Sequence, residues 1–266
     1  MFHPRGPSFW ELAQQCLSST ERGYDLLAPK FDFTPFRTPD AILAGVAKVL
    51  GPPQSIDDAL DVCCGTGAGL GILRLLCRRR VVGIDFSRGM LDVARQRFAD
   101  EQQQRGRESF RADEDGRGNV RWPETTPDPV KPAHVEFVQR DVLEMDFFEE
   151  FDLAVTLGSN GHILPNDEPR FIERIAAALR PGGRFVFVTS EMPPVWSRQY
   201  LFSRGFNAAM RVRNLLVRPP FVMFYLTFLL PEARQLLEKY GFEVEVHSPF
   251  TGRLRFLKVV VGAKRY

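Results

Sequence analysis

The chain has 266 residues, 44% of them apolar, with 35 Lys and Arg against 33 Asp and Glu for a formal charge of +2. That apolar content is ample for one large or two small buried cores and excludes disordered and fibrous classes. A balance this close to neutral also excludes a broad phosphate-tracking surface, so no nucleic-acid partner is expected. The four cysteines, at 16, 63, 64 and 77, include no C-x-x-C pair, which points to a reducing, cytoplasmic setting. The opening MFHPRGPSFWEL lacks the apolar stretch of a secretory signal, and the longest apolar run, FVMFYLTFLL at 221–230, is too short to span a bilayer.

In chain order, residues 1–50 carry two segments of helical period, FWELAQQCL and PDAILAGVAKVL, joined by the aromatic stretch YDLLAPKFDFTPF. They are expected to form a helical flank or lid. From residue 57 the chain alternates short β-branched runs with helical segments. Strands are expected at 58–63, 81–85, 135–139, 151–157, 184–190, 242–247 and 254–262. Between them LGILRLLCRR, SRGMLDVARQRF, DEPRFIERIAAALR and PEARQLLEKY read as helices, the third stopping before Pro-Gly-Gly. The fold expected is α/β, a doubly wound, seven-stranded, mostly parallel sheet. Its last two strands, joined by a short SPFTG turn, should pair antiparallel at an edge. Residues 100–132 are polar and read as a flexible insertion, and residues 191–230 interrupt the sheet as a helical lid insertion. No repeat and no linker divides the chain, so 1–266 reads as a single elaborated domain.

The first strand runs into LDVCCGTGAGLG, placing Gly65, Gly67 and Gly69 where a strand turns into a helix and a backbone can approach a ligand. A dinucleotide fingerprint counted from Gly65 would need glycine where Leu70 stands, which disfavours a nicotinamide enzyme. Twenty positions on, the second strand ends in Asp85, where a carboxylate can hold a ribose diol or cap the next helix. Asp85 alone does not separate hydride transfer from methyl transfer. Asp141, just past the third strand, reads either as a turn residue or as an acceptor for an adenine amine beside the Val142 backbone N–H.

Taken in order, LDVCCGTGAG, VVGIDFSRGMLDVAR, the Asp141 region, FDLAVTLGSNGHI and LRPGGRFVFVT resemble the class I S-adenosylmethionine (SAM) dependent methyltransferases, with a flavour similar to the ubiquinone and menaquinone biosynthesis enzymes. One departure is that Cys63 stands where the family's D-x-G-x-G-x-G has its first glycine. The resemblance implies SAM as cofactor. It implies that Asp61, Cys63 and the Gly65–Thr66–Gly67 backbone hold the methionine part and Asp85 the ribose. Phe86 and Met90 would lie near the adenine, Asp141 and Val142 would meet its edge, and a carbonyl of Leu157 or Gly158 would take the ammonium.

Methyl transfer from a sulfonium asks mainly for positioning, exclusion of water and, where needed, a base. His162 is the candidate base, with a loop role as the alternative, and Tyr24 is a second catalytic candidate that could close over the ligand or pack in the core. No metal is expected, because the histidines at 3, 134, 162 and 247 lack ligand spacing. Were 202–217 a helix, Phe202, Phe206, Ala209, Met210, Leu216 and Val217 would share one face and Arg204, Arg211 and Arg218 the other. Such a helix would lid a hydrophobic acceptor or lie on an anionic membrane surface. The expected activity is methyl transfer to a small, fairly hydrophobic acceptor. The alternatives are a lipid or quinone methyltransferase in peripheral membrane contact and a non-catalytic SAM-binding module.

Overall fold

The structure, a computed structural model, describes residues 3–114 and 132–265, with side chains of 102–114 excepted. The part of the polar insertion from 115 to 131 therefore lies outside the described residues. Three helices come first, α1 (Phe9–Leu17), α2 (Thr20–Leu27) and α3 (Asp40–Leu50). Ser8 and Glu11 close a capping box on α1, and Ser19 accepts from the Arg22 N–H at the start of α2, so these two helices have donor-satisfying starts. Helix α2 occupies YDLL, which the sequence reading had placed in a connecting stretch.

The alternating part comprises β1 (Ile56–Val62), α4 (Ala68–Leu76), β2 (Cys77–Asp85), α5 (Arg88–Glu114), β3 (His134–Gln139) and β4 (Phe151–Thr156). It continues with α6 (Glu168–Ala178), β5 (Leu179–Ser190), α7 (Arg198–Leu216), α8 (Leu230–Lys239), β6 (Phe242–His247) and β7 (Leu257–Lys264). The sheet order is β3-β2-β1-β4-β5-β7-β6. The five strands β3 to β5 are mutually parallel, and β7 is antiparallel to both β5 and β6. The C-terminal pair lies antiparallel at one edge of the sheet, as expected, with β6 outermost and β7 between it and β5. The VVV run of β7, buried at Val259 to Val261, suits an interior strand.

Successive residues of each central strand feed opposite cores. Leu60, Val62, Ala154, Phe185 and Phe187 pack beneath α6 and α8, whereas Ala59, Leu153, Val155 and Val186 pack against residues of α3, α4 and α5. Both faces of the sheet are thus covered, as a doubly wound sheet requires.

Three boundaries differ most from expectation. Strand β2 begins at Cys77, four residues early, because Cys77 and Val81 are buried while Arg78 pairs with Asp57 at 2.6 Å and Arg80 with Glu150 at 2.7 Å. Strand β5 absorbs the Pro-Gly-Gly through a register shift against β4, so α6 ends at Ala178. Helix α5 runs on to Glu114, so the first part of the segment expected as a flexible insertion is helical.

Helix α7 is also oriented against expectation. The expected apolar face does not pack as a unit: Met210 is buried, but Phe202 and Leu216 are exposed. The residues turned inward are mostly polar. Asn207 donates to the Tyr225 carbonyl and accepts from its N–H, both at 2.8 Å, and Asn214 does the same for Phe221 at 3.0 and 2.9 Å. Residues 221–225 have no strand or helix partner for these backbone groups, and the two amides supply it.

Candidate active site

The strand order reverses between β1 and β4, and open α/β sheets form their ligand crevice at the C-terminal ends of the strands flanking such a point. There β1 gives way to a loop of left-handed backbone, with φ of +59° at Cys63, +53° at Gly65 and +83° at Gly67, the last capping α4. Glycine tolerates this region freely, whereas Cys63 holds it with a side chain attached. A Cβ at Gly65 would meet nothing within 4 Å, and one at Gly69 would lie 2.6 Å from Asp61 Oδ2. Glycine at 69 is therefore what lets the Asp61 carboxylate tuck under the first turn of α4.

Asp61 is buried, it accepts from the Leu70 N–H, and its Oδ2 has no hydrogen-bond partner. Burial, helped by the charge of Asp85, pushes its carboxyl up to about 8 against the pull of that N–H. A folded-state value raised above the unfolded one gives stability that is complete below about pH 4 and lost as pH rises through 8. Thermal unfolding of the ligand-free protein should thus show a decline over that window that Asp61→Asn lacks; equal slopes would contradict it.

Asp85 Oδ2 accepts from the Gly65 N–H and Oδ1 from the Ser87 N–H, each at 2.9 Å. Burial raises it to about 6, with the backbone donors holding it down. The carboxylate therefore ties the glycine loop to the entry of α5 and still borders the cavity, so its two sequence readings describe one arrangement.

The N-terminal flank closes over this floor. Asp25 Oδ1 accepts from the Ser87 hydroxyl at 2.7 Å and the Gly89 N–H at 2.8 Å. Asp32 accepts from the Thr66 hydroxyl at 2.7 Å and pairs with Arg97, and the Thr38 hydroxyl donates to the Leu157 carbonyl at 3.3 Å. Between floor and flank is a cavity of about 320 Å³. Of the residues singled out from sequence, Tyr24, Asp61, Cys63, Gly65, Thr66, Asp85, Phe86, Met90, Leu157, Gly158 and His162 line it.

Gly67, Asp141 and Val142 do not. Asp141 folds back to accept from the Leu143 N–H at 2.8 Å, capping a short helical turn at Val142–Glu144, and the Val142 side chain is buried in the core. The sequence reading missed Phe31, Phe36, Thr38, Ser159, Met223 and Tyr225, which also line the cavity. Ser159 lies in the loop after β4; the others belong to the flank and to the loop before α8, whose aromatic content was visible but whose fold onto the site is a tertiary matter.

At one wall His162 and Tyr24 meet. The His162 Nδ1 lies 2.7 Å from the Val222 carbonyl, which can only accept, so Nδ1 carries the proton. Nε2 then accepts from the Tyr24 hydroxyl at 2.8 Å. Burial lowers the imidazole below its ordinary 6.5 and raises the phenol above 10, favouring the neutral form of each. Among the described residues no group of three or more His, Cys, Asp or Glu could hold a metal ion.

The model of the methyltransferase domain family matches residues 60–187. A demethylmenaquinone methyltransferase of Bacillus licheniformis is 24% identical over 73% of this chain and 74% of its own. A 2-phytyl-1,4-naphtoquinone methyltransferase of Thermosynechococcus vestitus is 26% identical over 76% of this chain and 79% of its own. The solved structure of a DhpI–SAH complex, 17% identical, superposes with a TM-score of 0.59 over 97% of this chain and 99% of that one. The domain match, spanning β1 to β5, agrees with the strand order and the glycine loop, and the buried, unpartnered oxygen of Asp61 against Gly69 fits a cationic amino-acid moiety. Residues 60–187 carry a methyltransferase domain, and the matches together support a SAM-dependent methyltransferase similar to the quinone methyltransferases.

Proposed function

We propose that this enzyme moves the methyl group of SAM to a small, apolar, hydroxyl-bearing acceptor of the reduced naphthoquinone type. The observation that carries the reading is a cavity that joins the Asp61 and Asp85 carboxylates to an aromatic wall of Phe31, Phe36 and Tyr225 and to the Tyr24–His162 pair. Pockets of this kind bind largely by apolar contact, with a few placed polar groups fixing orientation. The names of the two quinone methyltransferases that the chain resembles agree with it. The N-terminal flank, residues 1–50, and the insertion at 191–230 act in this reading as the covering parts of a single domain.

Asp85 takes the ribose hydroxyls on the lone pairs its two backbone donors leave open. Asp61 faces the α-ammonium with its unpartnered oxygen, helped by the Leu157 or Gly158 carbonyl, and Cys63, Gly65, Thr66 and Gly67 shape the loop against the methionine part. Phe86 and Met90 border the adenine. When bound, the sulfonium supplies an electrophilic methyl carbon. The protein's share of the chemistry is the proton: the acceptor hydroxyl gives its proton to Tyr24 Oη as the Tyr24 proton passes to His162 Nε2, leaving His162 as imidazolium, while the ring carbon beside that oxygen takes the methyl and then loses its own proton as the oxygen is reprotonated and the ring restored. The imidazolium would then return its proton to water on product release.

Asp61 also sets a linkage. With its carboxyl near 8 it is mostly protonated at pH 7 in the free protein, and an ammonium against it restores the anion. SAM binding at pH 7 should therefore release most of one proton, read as a dependence of the calorimetric heat on buffer ionisation enthalpy; heats independent of buffer would contradict this.

The substrate reading is tested with methyl-labelled SAM and a panel of acceptors. Reduced naphthoquinones without a ring methyl should be labelled at least about tenfold faster than polar amines or catechol-sized phenols. Preference for a polar amine would overturn it.

A further inference from the structure

Helix α7 is inverted relative to an ordinary surface helix. Stepping about 100° per residue, Ser203, Asn207, Met210 and Asn214 form the inward face. Leu201, Gly205, Ala208, Val212, Leu215 and Leu216 fall in one arc of roughly 100° on the opposite side. Leu201, Val212, Leu215 and Leu216 are 60, 56, 76 and 76% exposed, and Phe202 at the arc's margin is 66% exposed. The inward amides are committed to the backbone of Phe221 and Tyr225, so the helix cannot roll to hide its apolar side without releasing four hydrogen bonds.

The surroundings extend this face. Arg213 donates to the Cys16 and Ser18 carbonyls at 2.6 and 2.8 Å, docking the end of α1 and its exposed Leu17 against the last turn of α7. Trp196, just ahead of α7, is 80% exposed. Arg204 and Arg211 run along one edge of the apolar arc, and from residue 192 to 231 the chain has five arginines and no acid.

We propose that the outward face of α7 is a membrane-docking surface that seats on an anionic lipid bilayer, its leucines and Phe202 entering the acyl boundary and its arginine edge meeting lipid phosphates. An exposed apolar stripe with a basic margin and a flanking tryptophan matches such an interface in both polarity and charge. A second copy of this chain fits less well, since pairing two such faces would bring two arginine edges together with no acid in the segment to offset them. A bilayer crossing is not involved: no described helix is long and apolar enough for one. The inference does not depend on which acceptor is methylated.

The test is co-sedimentation of the full chain with vesicles of phosphatidylcholine alone or with about one third phosphatidylglycerol. The protein should bind the anionic vesicles at least about tenfold more tightly, with binding weakened by salt. The triple variant Val212→Ser, Leu215→Ser, Leu216→Ser and the charge variant Arg204→Glu, Arg211→Glu should each lose about tenfold or more. All five positions are exposed and outside the cavity, so unchanged SAM affinity and unfolding temperature would show that each variant folds. Absent vesicle binding, or binding that neither variant weakens, would overturn the proposal. So would a dimer, seen by sedimentation velocity, that the serine variant dissociates.

Discussion

Arg180→Met should lower the stability of the protein by about 3 kcal/mol, read as a shift of the denaturation midpoint at unchanged m-value. Asp58 is fully buried at the N-terminal end of the sheet. Its Oδ2 accepts from Arg180 at 2.8 Å, while Oδ1 has only the longer ion pairs to Arg79 and Arg80, at 3.6 and 3.5 Å. Arg180 also holds Asp152 at 2.8 Å, and the other oxygen of Asp152 accepts from the Asp58 N–H. Removing the guanidinium strands a desolvated carboxylate, and that desolvation, more than the lost attraction, dominates the cost. The double variant Asp58→Leu, Arg180→Met should recover part of the loss because no buried charge is left unpaired. A single-variant loss below about 1 kcal/mol would mean that Arg79 and Arg80 suffice to hold Asp58.

Tyr24→Phe and His162→Gln should each reduce kcat by about 100-fold or more, and the double variant should be little worse than either, since the two side chains form one proton path. The Tyr24 hydroxyl touches the Nε2 of His162, so deleting either breaks the same relay. His162 must be neutral to take the proton. Burial lowers its pKa, so with saturating SAM the rate should hold its plateau to below pH 6.5 and fall only under the lowered value. The KM for SAM should instead rise as pH falls below about 8, where Asp61 must give up a proton to meet the ammonium, and more steeply below about 6, where Asp85 also takes up a proton and loses an acceptor oxygen. Near-full turnover by His162→Gln would remove the relay and leave Tyr24 and His162 as packing groups.

The alternating order of strands and helices was legible because burial on both faces of a parallel sheet leaves short, mainly apolar runs such as VVGID and FDLAV between helical periods. Charge misled at Arg78 and Arg79, which read as the end of a helix. Their strand conformation is set by acids on the neighbouring strand β1, Asp57 and Asp58, that local sequence cannot place. At 202–217 the helix itself was legible but not which side it buries. Hydrophobicity assigns the apolar side inward, whereas Asn207 and Asn214 are drawn in by unpaired backbone at 221–225.

In the site, the glycine loop and Asp85 stand at fixed spacing from strand ends, and spacing alone brings them to one crevice. Asp141 sits at a comparable strand end, yet a local bond to the Leu143 N–H turns it aside. The pairing of Tyr24 with His162 spans 138 residues and had no local signal; the two were singled out separately, each with a bland alternative.

The measurement that bears most directly on the account is calorimetric titration of SAM and S-adenosylhomocysteine into the wild-type protein and Asp85→Ala. Asp85 organises the loop through Gly65 and Ser87 and faces the cavity, so the account predicts saturable binding of both ligands to wild type, weakened about 100-fold in the variant. Wild-type protein that is folded and binds neither ligand, or a variant that binds them as tightly as wild type, would contradict it.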